Sequence, residues 1–312
     1  MAPATTGGVG AIRVGVITAL FDNAFILAPM HAGIYKQAGI DLSITEFQDG
    51  NTMTRAVVSD QIDTGEMGIP QIFPADEAGA DLKLVAAPKA KLNFVFVVQK
   101  DINSLEDLYG KEVGTNGINA QLHKIVVSLY KAKGADPSKL TIANVGPSPQ
   151  VTRALIAGRV PAGAIVVSDL PQIKNNPNLK VLYDCGQELP NYLRLAMPVR
   201  MQSIATRDAL LRQFFIAHSS AHRWALQHRD EVVRSALEDV KQDKAAAASN
   251  WDTYLNGNMV SPDFTITEAQ IDYMQQLNLD DGSQKAKLPT DRVLDTRYIQ
   301  AVQETLGPYR KA

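Results

Sequence analysis

Two histidines on one predicted helix come nearest to a catalytic or metal-binding spacing in this sequence. His218 and His222 are four residues apart, which places both imidazoles on one face of a helix, as in some zinc sites. Two serines and an alanine stand between them, so the glutamate of a His-Glu-x-x-His motif is missing. His228 is outside that spacing. The pattern therefore favours a helix surface or core edge over a metal centre.

No nucleophile stands at a recognised spacing from a base, and the glycines at 8 and 10 precede the first predicted strand instead of following it, unlike a dinucleotide-binding fingerprint. The single cysteine, Cys185, has no partner for an intramolecular disulfide or a thiolate metal site. We therefore predict no catalytic residue, no metal site and no cofactor.

The composition is that of a globular protein that does not bind nucleic acid. Of 312 residues, 45% are hydrophobic and 21% are charged, with a formal net charge of -2 and no recurring basic cluster. No apolar run approaches the roughly 20 residues of a membrane-spanning helix. Residues 1–8 lack a signal-peptide pattern, and our hypothesis is that an initiator methionine replaces a natural leader.

Strands alternate with helices along the first two thirds of the chain, which predicts a mostly parallel, doubly wound α/β fold. Pro29 is placed at the start of the first helix and Gly39 at its end. A capping box at 267–270 and a last helix at 295–306 are predicted near the C-terminus. The predicted strands are at 12–17, 40–45, 67–69, 82–86, 94–98, 112–115 and 201–206.

An internal sequence repeat indicates that the chain has two similar halves. The segments 44–47 and 54–58 and the glycine at 65 are followed by like residues at 142–145, 152–156 and 163. Each pair is 98 positions apart, as 152 minus 54 shows. This separation is longer than the period of about 20 to 50 residues in solenoids, so it favours two duplicated strand-helix-strand lobes. Chance similarity between strand-helix units is the alternative.

Several segments in this order resemble the solute-binding proteins for nitrate, alkanesulfonates, taurine and thiamine precursors, a branch of the type II periplasmic binding proteins. The matching runs include Ala-Gly-Ile-Tyr-Lys-Gln-Ala-Gly-Ile at 32–40, Gly-Glu-Met-Gly-Ile-Pro at 65–70 and Ala-Leu-Ile-Ala-Gly-Arg-Val at 154–160. The resemblance implies two lobes with doubly wound sheets, joined by two crossing strands near Gln99 and Val199. Lobe 1 would be 1–100 plus 199–312, and lobe 2 would be 101–198.

The resemblance also implies a function. The chain would be the receptor of an ABC importer, a monomer that is periplasmic, or extracytoplasmic and associated with the membrane. It would close its lobes over a small organic anion, an aliphatic or aromatic sulfonate or carboxylate, or over a polar heterocycle, and deliver it to permease subunits. An enzyme similar to the thiamine-pyrimidine synthase is the alternative with the same fold, but that enzyme uses a cysteine-rich motif. A regulator's effector domain also shares the fold, although no helix-turn-helix precedes Ile12.

Ligands of open parallel sheets bind beyond the carboxyl ends of the strands, so the loops there form the candidate site. The loops at 50–52 and 117–120 precede helices of opposite lobes, and their N–H groups suit an oxyanion, although ordinary helix caps look the same. Lys89 or Lys91 could pair with it, and Arg194 could supply a charge unless it lies on the surface. The candidate ligand-binding residues are Phe21, Asp22, Asn23, Gly50, Asn51, Ile69, Pro70, Gln71, Lys91, Asn93, Gly117, Ile118, Asn119, Ala120, Ser148, Ser168, Asp169 and Tyr192.

Overall fold

The computed structural model describes residues 10–311, and the segment 1–8, on which the leader hypothesis depends, lies outside them. The strands are β1 (Gly10–Ile17), β2 (Ile40–Phe47), β3 (Thr64–Gly65), β4 (Leu82–Lys89), β5 (Phe94–Gln99), β6 (Glu112–Thr115), β7 (Thr141–Asn144), β8 (Ala162–Val166), β9 (Leu179–Asp184) and β10 (Leu195–Arg200). The helices of the first half are α1 (Ala24–His31), α2 (Ile34–Gln37), α3 (Gly50–Val58), α4 (Ile72–Glu77), α5 (Gln121–Ala132) and α6 (Ser148–Ile156). Those of the second half are α7 (Leu170–Ile173), α8 (Cys185–Glu188), α9 (Met201–Ala225), α10 (Arg229–Glu238), α11 (Lys244–Asn256), α12 (Glu268–Asp280), α13 (Thr290–Val293) and α14 (Arg297–Leu306).

The first sheet has the order β2-β1-β3, and all its pairs are parallel. An antiparallel bridge between Met67 and Ala196 extends it to the antiparallel pair formed by β10 and β4. Ile12 and Val14 lie on the same face of β1, and both are fully buried. The polar loops after these strands therefore meet at one edge.

The second sheet has the order β7-β6-β8-β5-β9. Its strands β7, β6 and β8 are parallel, whereas β5 is antiparallel to both of its neighbours. The prediction of a mostly parallel arrangement therefore needs correction at β5 and at the pair β10-β4. The apolar run of β5 is buried as predicted, because β5 lies inside the sheet with helices packed on it.

The chain crosses between the two sheets at 90–93 and at 185–194. Strand β4 belongs to the first sheet and β5 to the second, while β9 belongs to the second and β10 to the first. These crossings precede by one strand the positions predicted near Gln99 and Val199. We propose lobe limits of 10–89 plus 195–311 and of 94–184, in place of boundaries at 100 and 199.

The predicted duplication appears as matching topology in the two sheets. The order β2-β1-β3 in one corresponds to β7-β6-β8 in the other, with α3 and α6 as the equivalent helices. A Cβ on Gly65 would lie 2.9 Å from the carbonyl oxygen of Gly15, and a Cβ on Gly163 would lie 3.1 Å from that of Gly114. The repeated glycine thus permits the same close strand contact in each lobe.

Some local predictions were wrong. Pro29 lies inside α1 instead of at its start, and the strand expected at 67–69 is β3, which begins three residues earlier. Residues 201–206 are the start of α9 and not a strand. The capping box of Thr267 and Gln270 is confirmed, and the last helix ends before Gly307 as predicted. Within 10–311, no helix has both the length and the apolar character needed to cross a membrane.

Candidate functional site

The starts of three helices converge where the two lobes meet. Helix α3 comes from the first lobe, and α5 and α6 come from the second. They enclose a cavity of about 20 Å³, which has room for about one water molecule. The lobes are therefore almost closed on each other. The cavity is lined by Ile17, Leu20, Gly50, Gly68, Phe94, Asn116, Gln121, Leu122, Pro147 and Ser148.

Each helix start offers backbone donors to this cavity. The caps already satisfy part of the first turn: Asp49 accepts from the N–H of Thr52 at 2.8 Å, and Asn116 accepts from that of Leu122 at 2.9 Å. The N–H groups of Gly50, Gln121 and Ser148 have no hydrogen-bond partner among residues 10–311. Since a helix N-terminus carries partial positive charge, the cavity suits an oxyanion.

Direct contacts hold the lobes together around the cavity. Gln121 packs on Gly68 and donates to the carbonyl oxygen of Arg194 at 2.7 Å. At the outer end of the cleft, Lys124 forms an ion pair with Asp281 and donates to the hydroxyl of Ser283 at 2.7 Å. These bonds join α5 to the segment that follows α12. The structure therefore represents a closed arrangement.

Asp22, a predicted ligand contact, is engaged inside the protein. Its two carboxylate oxygens accept from the guanidinium of Arg194 at 2.9 and 2.6 Å, and Tyr254 donates to it at 3.1 Å. Burial would raise the pKa of Asp22, but the charge and hydrogen bonds of Arg194 outweigh this and lower it. Arg194 is fully buried, so its suggested surface position is wrong. The pair fastens the crossing segment 185–194 to the loop after β1.

The other members of the first loop are also buried. Phe21 contacts the rings of Phe25 and Tyr254, with centroid distances of 5.8 and 5.0 Å, so it packs in a core. Asn23 donates to the carbonyl oxygen of Ile17 at 2.9 Å. Its role is thus to shape the turn after β1, at the edge of the cavity.

Four predicted residues carry buried polar atoms that lack a hydrogen-bond partner within the described chain. Such atoms are rare because leaving a buried donor or acceptor unpaired costs about 1–3 kcal/mol. Asn93 still donates to the hydroxyl of Tyr254 at 3.0 Å, and Gln71 donates to the carbonyl oxygen of Gly68 at 2.6 Å. The unpaired atoms are Gln71 Oε1, Asn93 Oδ1, Ser168 Oγ and the Tyr192 hydroxyl.

Ser148 and Asp169 form a buried network at the start of α6. Asp169 accepts from the hydroxyls of Ser148 at 2.6 Å and Thr152 at 3.2 Å. Burial raises the pKa of Asp169 to about 6, against the opposing effect of these two hydrogen bonds. Ser148 also accepts from the N–H of Val166 at 2.8 Å, so this network fixes the helix start relative to β8.

The remaining predicted residues lie around or away from the cavity. Lys91 is exposed and donates to the carbonyl oxygen of Gly257 at 3.0 Å. Ile118 and Asn119 are exposed, and the backbone N–H of Asn119 donates to His123 at 3.1 Å. These three residues do not meet the others. Five further predicted residues lie in the loops and helix starts around the cavity: Asn51, Ile69, Pro70, Gly117 and Ala120.

His218 and His222, expected at a helix surface or core edge, are fully buried with Glu66 and Lys89. Lys89 forms an ion pair with Glu66, whose other oxygen lies 3.0 Å from His218 and 3.1 Å from His222. Tyr35 lies 2.8 Å from His218 Nδ1. These atoms are close enough for a metal site, but the ammonium group of Lys89 already supplies the cation at Glu66. Burial and the neighbouring His222 lower the pKa of His218 to about 4, so it is neutral.

Of the ten residues that line the cavity, the candidate list contained Gly50 and Ser148 and missed the other eight. Gln121 is the first residue of α5, directly after the predicted loop at 117–120, so extending each loop into the following helix would have included it. Phe94 opens β5 and gave no such signal, because its exposure to the cavity depends on how the chain crosses between sheets.

A family model described as NMT1/THI5 like matches residues 21–232. No curated protein sequence matches the chain. The match covers more than half of the chain and includes eight of the ten cavity-lining residues, the crossing segments and the charged members of both buried clusters.

Three solved structures illustrate the shared fold. The periplasmic aliphatic sulphonate binding protein SsuA from Escherichia coli is 22% identical, with a TM-score of 0.70, over 90% of this chain and 91% of that one. The periplasmic nitrate-binding protein NrtA from Synechocystis is 14% identical, with a TM-score of 0.77, over 96% and 89%. The desulfurization enzyme DSZB is 14% identical, with a TM-score of 0.64, over 94% and 99%. Thus the fold is the two-lobed fold of periplasmic binding proteins, and at these identities the likeness extends to fold alone.

Proposed function

Because the chain belongs to the NMT1/THI5-like family, we propose that it is a solute-binding receptor of an ABC importer that captures a small organic anion by lobe closure. The observation that carries this proposal is the convergence of helix starts from both lobes on one cavity. A ligand held between the lobes stabilises the closed form, which is the form that a receptor presents to its transporter.

The ligand is a carboxylate or a sulfonate with one oxyanion group. The N–H groups of Gly50, Gln121 and Ser148 donate to its oxygens, and Phe94 and Leu20 contact its apolar part. Arg194 and Lys89 are committed to Asp22 and Glu66, so the backbone donors supply the recognition of charge. The lobes open further to admit the ligand, since the cavity of about 20 Å³ is smaller than such a molecule.

The proposed importer role also implies the binding partners and the cellular location of the protein. The chain works as a monomer in the periplasm and delivers its ligand to permease subunits at the membrane. It catalyses no reaction. The sulfonate-binding and nitrate-binding proteins with the same fold support this role, and because an enzyme also has this fold, the experiments must test for conversion of the ligand.

The first experiment is a thermal-shift screen against alkanesulfonates, aromatic and aliphatic carboxylates and nitrate. Bound ligand raises the unfolding midpoint because it stabilises the folded form by mass action. Chemical analysis after incubation then separates the two functions. Recovery of unchanged ligand supports a receptor, whereas its conversion to a product would favour an enzyme. If no compound raises the midpoint, the proposed anion class is wrong.

The second experiment compares two variants at Gly50. Both Gly50→Ala and Gly50→Pro add a Cβ that meets the movable side chain of Gln71, but only proline removes the N–H. Proline suits the first position of a helix, and the preceding Asp49 is extended as proline requires. Relative to alanine, proline should weaken binding of the ligand about 10-fold or more, the effect of one hydrogen bond to a charged group. Equal affinities would remove Gly50 from the site.

A further inference from the structure

A second cavity, of about 630 Å³, lies outside the cavity between the helix starts. One of its walls is formed around α7 and β9 of the second lobe, and the other is formed by α11 of the first lobe. Among residues 10–311, none lines both cavities. Sites for small molecules typically have volumes of about 300–1,000 Å³, so this cavity is large enough for a small organic ligand. We name it the α7–α11 pocket.

The walls of the α7–α11 pocket are mainly apolar. Leu170 and Ile173 of α7 line it together with Leu179 and Val181 of β9. Strand β9 is at the edge of the second sheet, and the side chain of Val181 is 46% exposed there. An apolar ligand that covers such side chains releases water from them, which favours binding. The pocket therefore suits a ligand with an apolar body.

Two lysines border the α7–α11 pocket, whereas none of the described residues that line it is acidic. Lys174 is exposed at the end of α7, and it has no carboxylate within ion-pair distance among residues 10–311. Lys180 donates to the side-chain oxygen of Asn103, a neutral partner, at 2.7 Å. The positive charge at the border is thus not compensated locally. It favours a ligand whose apolar body carries one anionic group.

The contact between α11 and the second lobe beside this pocket is incompletely paired. Asn250 of α11 donates to the carbonyl oxygen of Ser168 at 2.8 Å, directly after the pocket residue Val167. Asn250 Oδ1 and Ser168 Oγ are buried and lack a hydrogen-bond partner within the described chain. Because unpaired buried polar groups are destabilising, this contact holds the lobes together less well than a fully paired one. A molecule that contacts both walls would strengthen it.

One short segment connects the α7–α11 pocket to the cavity between the helix starts. Val167 lines the pocket, and two residues later Asp169 accepts from the hydroxyl of Ser148 at 2.6 Å. Ser148 is the first residue of α6 and lines the cavity. The position of this segment therefore affects both sites.

We propose that the α7–α11 pocket binds a small apolar monoanion and that this second ligand stabilises the closed arrangement of the lobes. The apolar body contacts Leu170 and Val181 on one wall and α11 on the other, and the anionic group meets Lys174. Opening the lobes separates the two walls, so the second ligand binds the closed form more tightly. By linkage, it raises the affinity of the cleft for its oxyanion. This coupling rests on the proposed receptor function, whereas occupation of the pocket does not.

Octanoate is the probe for the pocket, and its binding is measured by isothermal titration calorimetry. Lys174→Glu and Val181→Asp should each weaken octanoate binding at least 10-fold, because each adds a negative charge beside the anionic group. Lys139→Glu and Ile156→Asp are the matched controls, since both positions are exposed on the second lobe outside the pocket. Uncharged octanamide should bind the wild-type protein at least 10-fold more weakly than octanoate.

No binding of octanoate to the wild-type protein would overturn the inference, as would wild-type affinity in Lys174→Glu. An equal loss in the two controls would also overturn it, because the effect would then not be specific to the pocket. Lys174→Glu changes an exposed side chain after a helix, so the test holds even where Val181→Asp fails to fold.

Gly50→Pro separates the pocket from the cleft. This variant removes an N–H from the cleft and should leave octanoate binding unchanged, whereas a 10-fold loss would place octanoate in the cleft and contradict the second site. For a screened anion whose binding Gly50→Pro weakens, saturating octanoate should raise the affinity about 5-fold or more in the wild-type protein and not in Lys174→Glu. Unchanged affinity in the wild-type protein would refute the coupling. If octanoate binds as expected but no screened anion binds in the cleft, the proposed function fails and the pocket is supported.

Discussion

Replacing Arg194 with methionine tests the buried ion pair that fastens a crossing segment to the first lobe. Arg194 and Asp22 are almost fully buried, and two hydrogen bonds of 2.9 and 2.6 Å join them. Methionine keeps much of the side-chain volume but leaves the carboxylate of Asp22 without its counter-charge. Removing one partner of such a pair typically costs 3–5 kcal/mol of unfolding free energy.

We expect Arg194→Met to lose about 3–5 kcal/mol in urea unfolding at pH 7. Asp22→Asn should cost a similar amount, because it leaves the guanidinium unpaired. The double variant removes both charges, so its loss should be smaller than the sum of the single losses by about 3 kcal/mol. Asp22 therefore serves poorly as a simple ligand-binding mutant, since its replacement changes stability as well.

The pH dependence of this loss is also determined. The pKa of Asp22 is lowered in the folded protein, so its contribution is present above the unfolded pKa of about 3.9 and is lost as pH falls through the folded pKa. The difference between wild type and Arg194→Met should shrink in strong acid. The control is Arg212→Met, at an exposed pair 3.1 Å from Glu304, which should cost less than about 1 kcal/mol. Equal losses for Arg194→Met and Arg212→Met would refute the reasoning.

Three further predictions concern the repeat, the α6 network and closure. Gly163→Ala should lower the unfolding free energy by about 1–3 kcal/mol in denaturant, since its Cβ would lie 2.5 Å from Val151 and 3.1 Å from a backbone oxygen; an unchanged midpoint would contradict that contact. The pKa of Asp169 is raised in the folded protein, so the unfolding free energy of the wild type falls as pH rises from about 4 to about 6. Asp169→Asn lacks this loss, so its unfolding free energy relative to that of the wild type should increase by about 3 kcal/mol between these pH values, as measured by urea unfolding at each pH. An unchanged difference between the two proteins across this range would disprove the pKa shift. Lys124→Met should open the lobes by removing the bonds to Asp281 and Ser283, seen as a larger radius of gyration in X-ray scattering without ligand, whereas Lys131→Met, at a more exposed pair, should change it less.

Local pattern was enough to predict most elements and the duplication. Period-two alternation placed β2, the apolar run placed β5, and the capping box at Thr267 placed the start of α12, because each depends on neighbours a few residues away. The 98-residue repeat predicted matching halves, and the two sheets have that topology. The sequence also predicted the helix starts that line the cavity, because in each lobe a strand is followed by a loop and then by a helix.

Tertiary structure decided which polar side chains were free and which were already paired. Asp22 and Arg194 are 172 positions apart, and Glu66 and His218 are 152 apart, so local spacing could not pair them. The direction of β5 and the exact crossings depended likewise on which sheet each strand joined. Burial removes water as a partner, so a buried charge needs a protein partner wherever the fold supplies one. The sequence determined the two lobes and their helix starts, and long-range packing determined that His218 and His222 belong to a buried charge cluster.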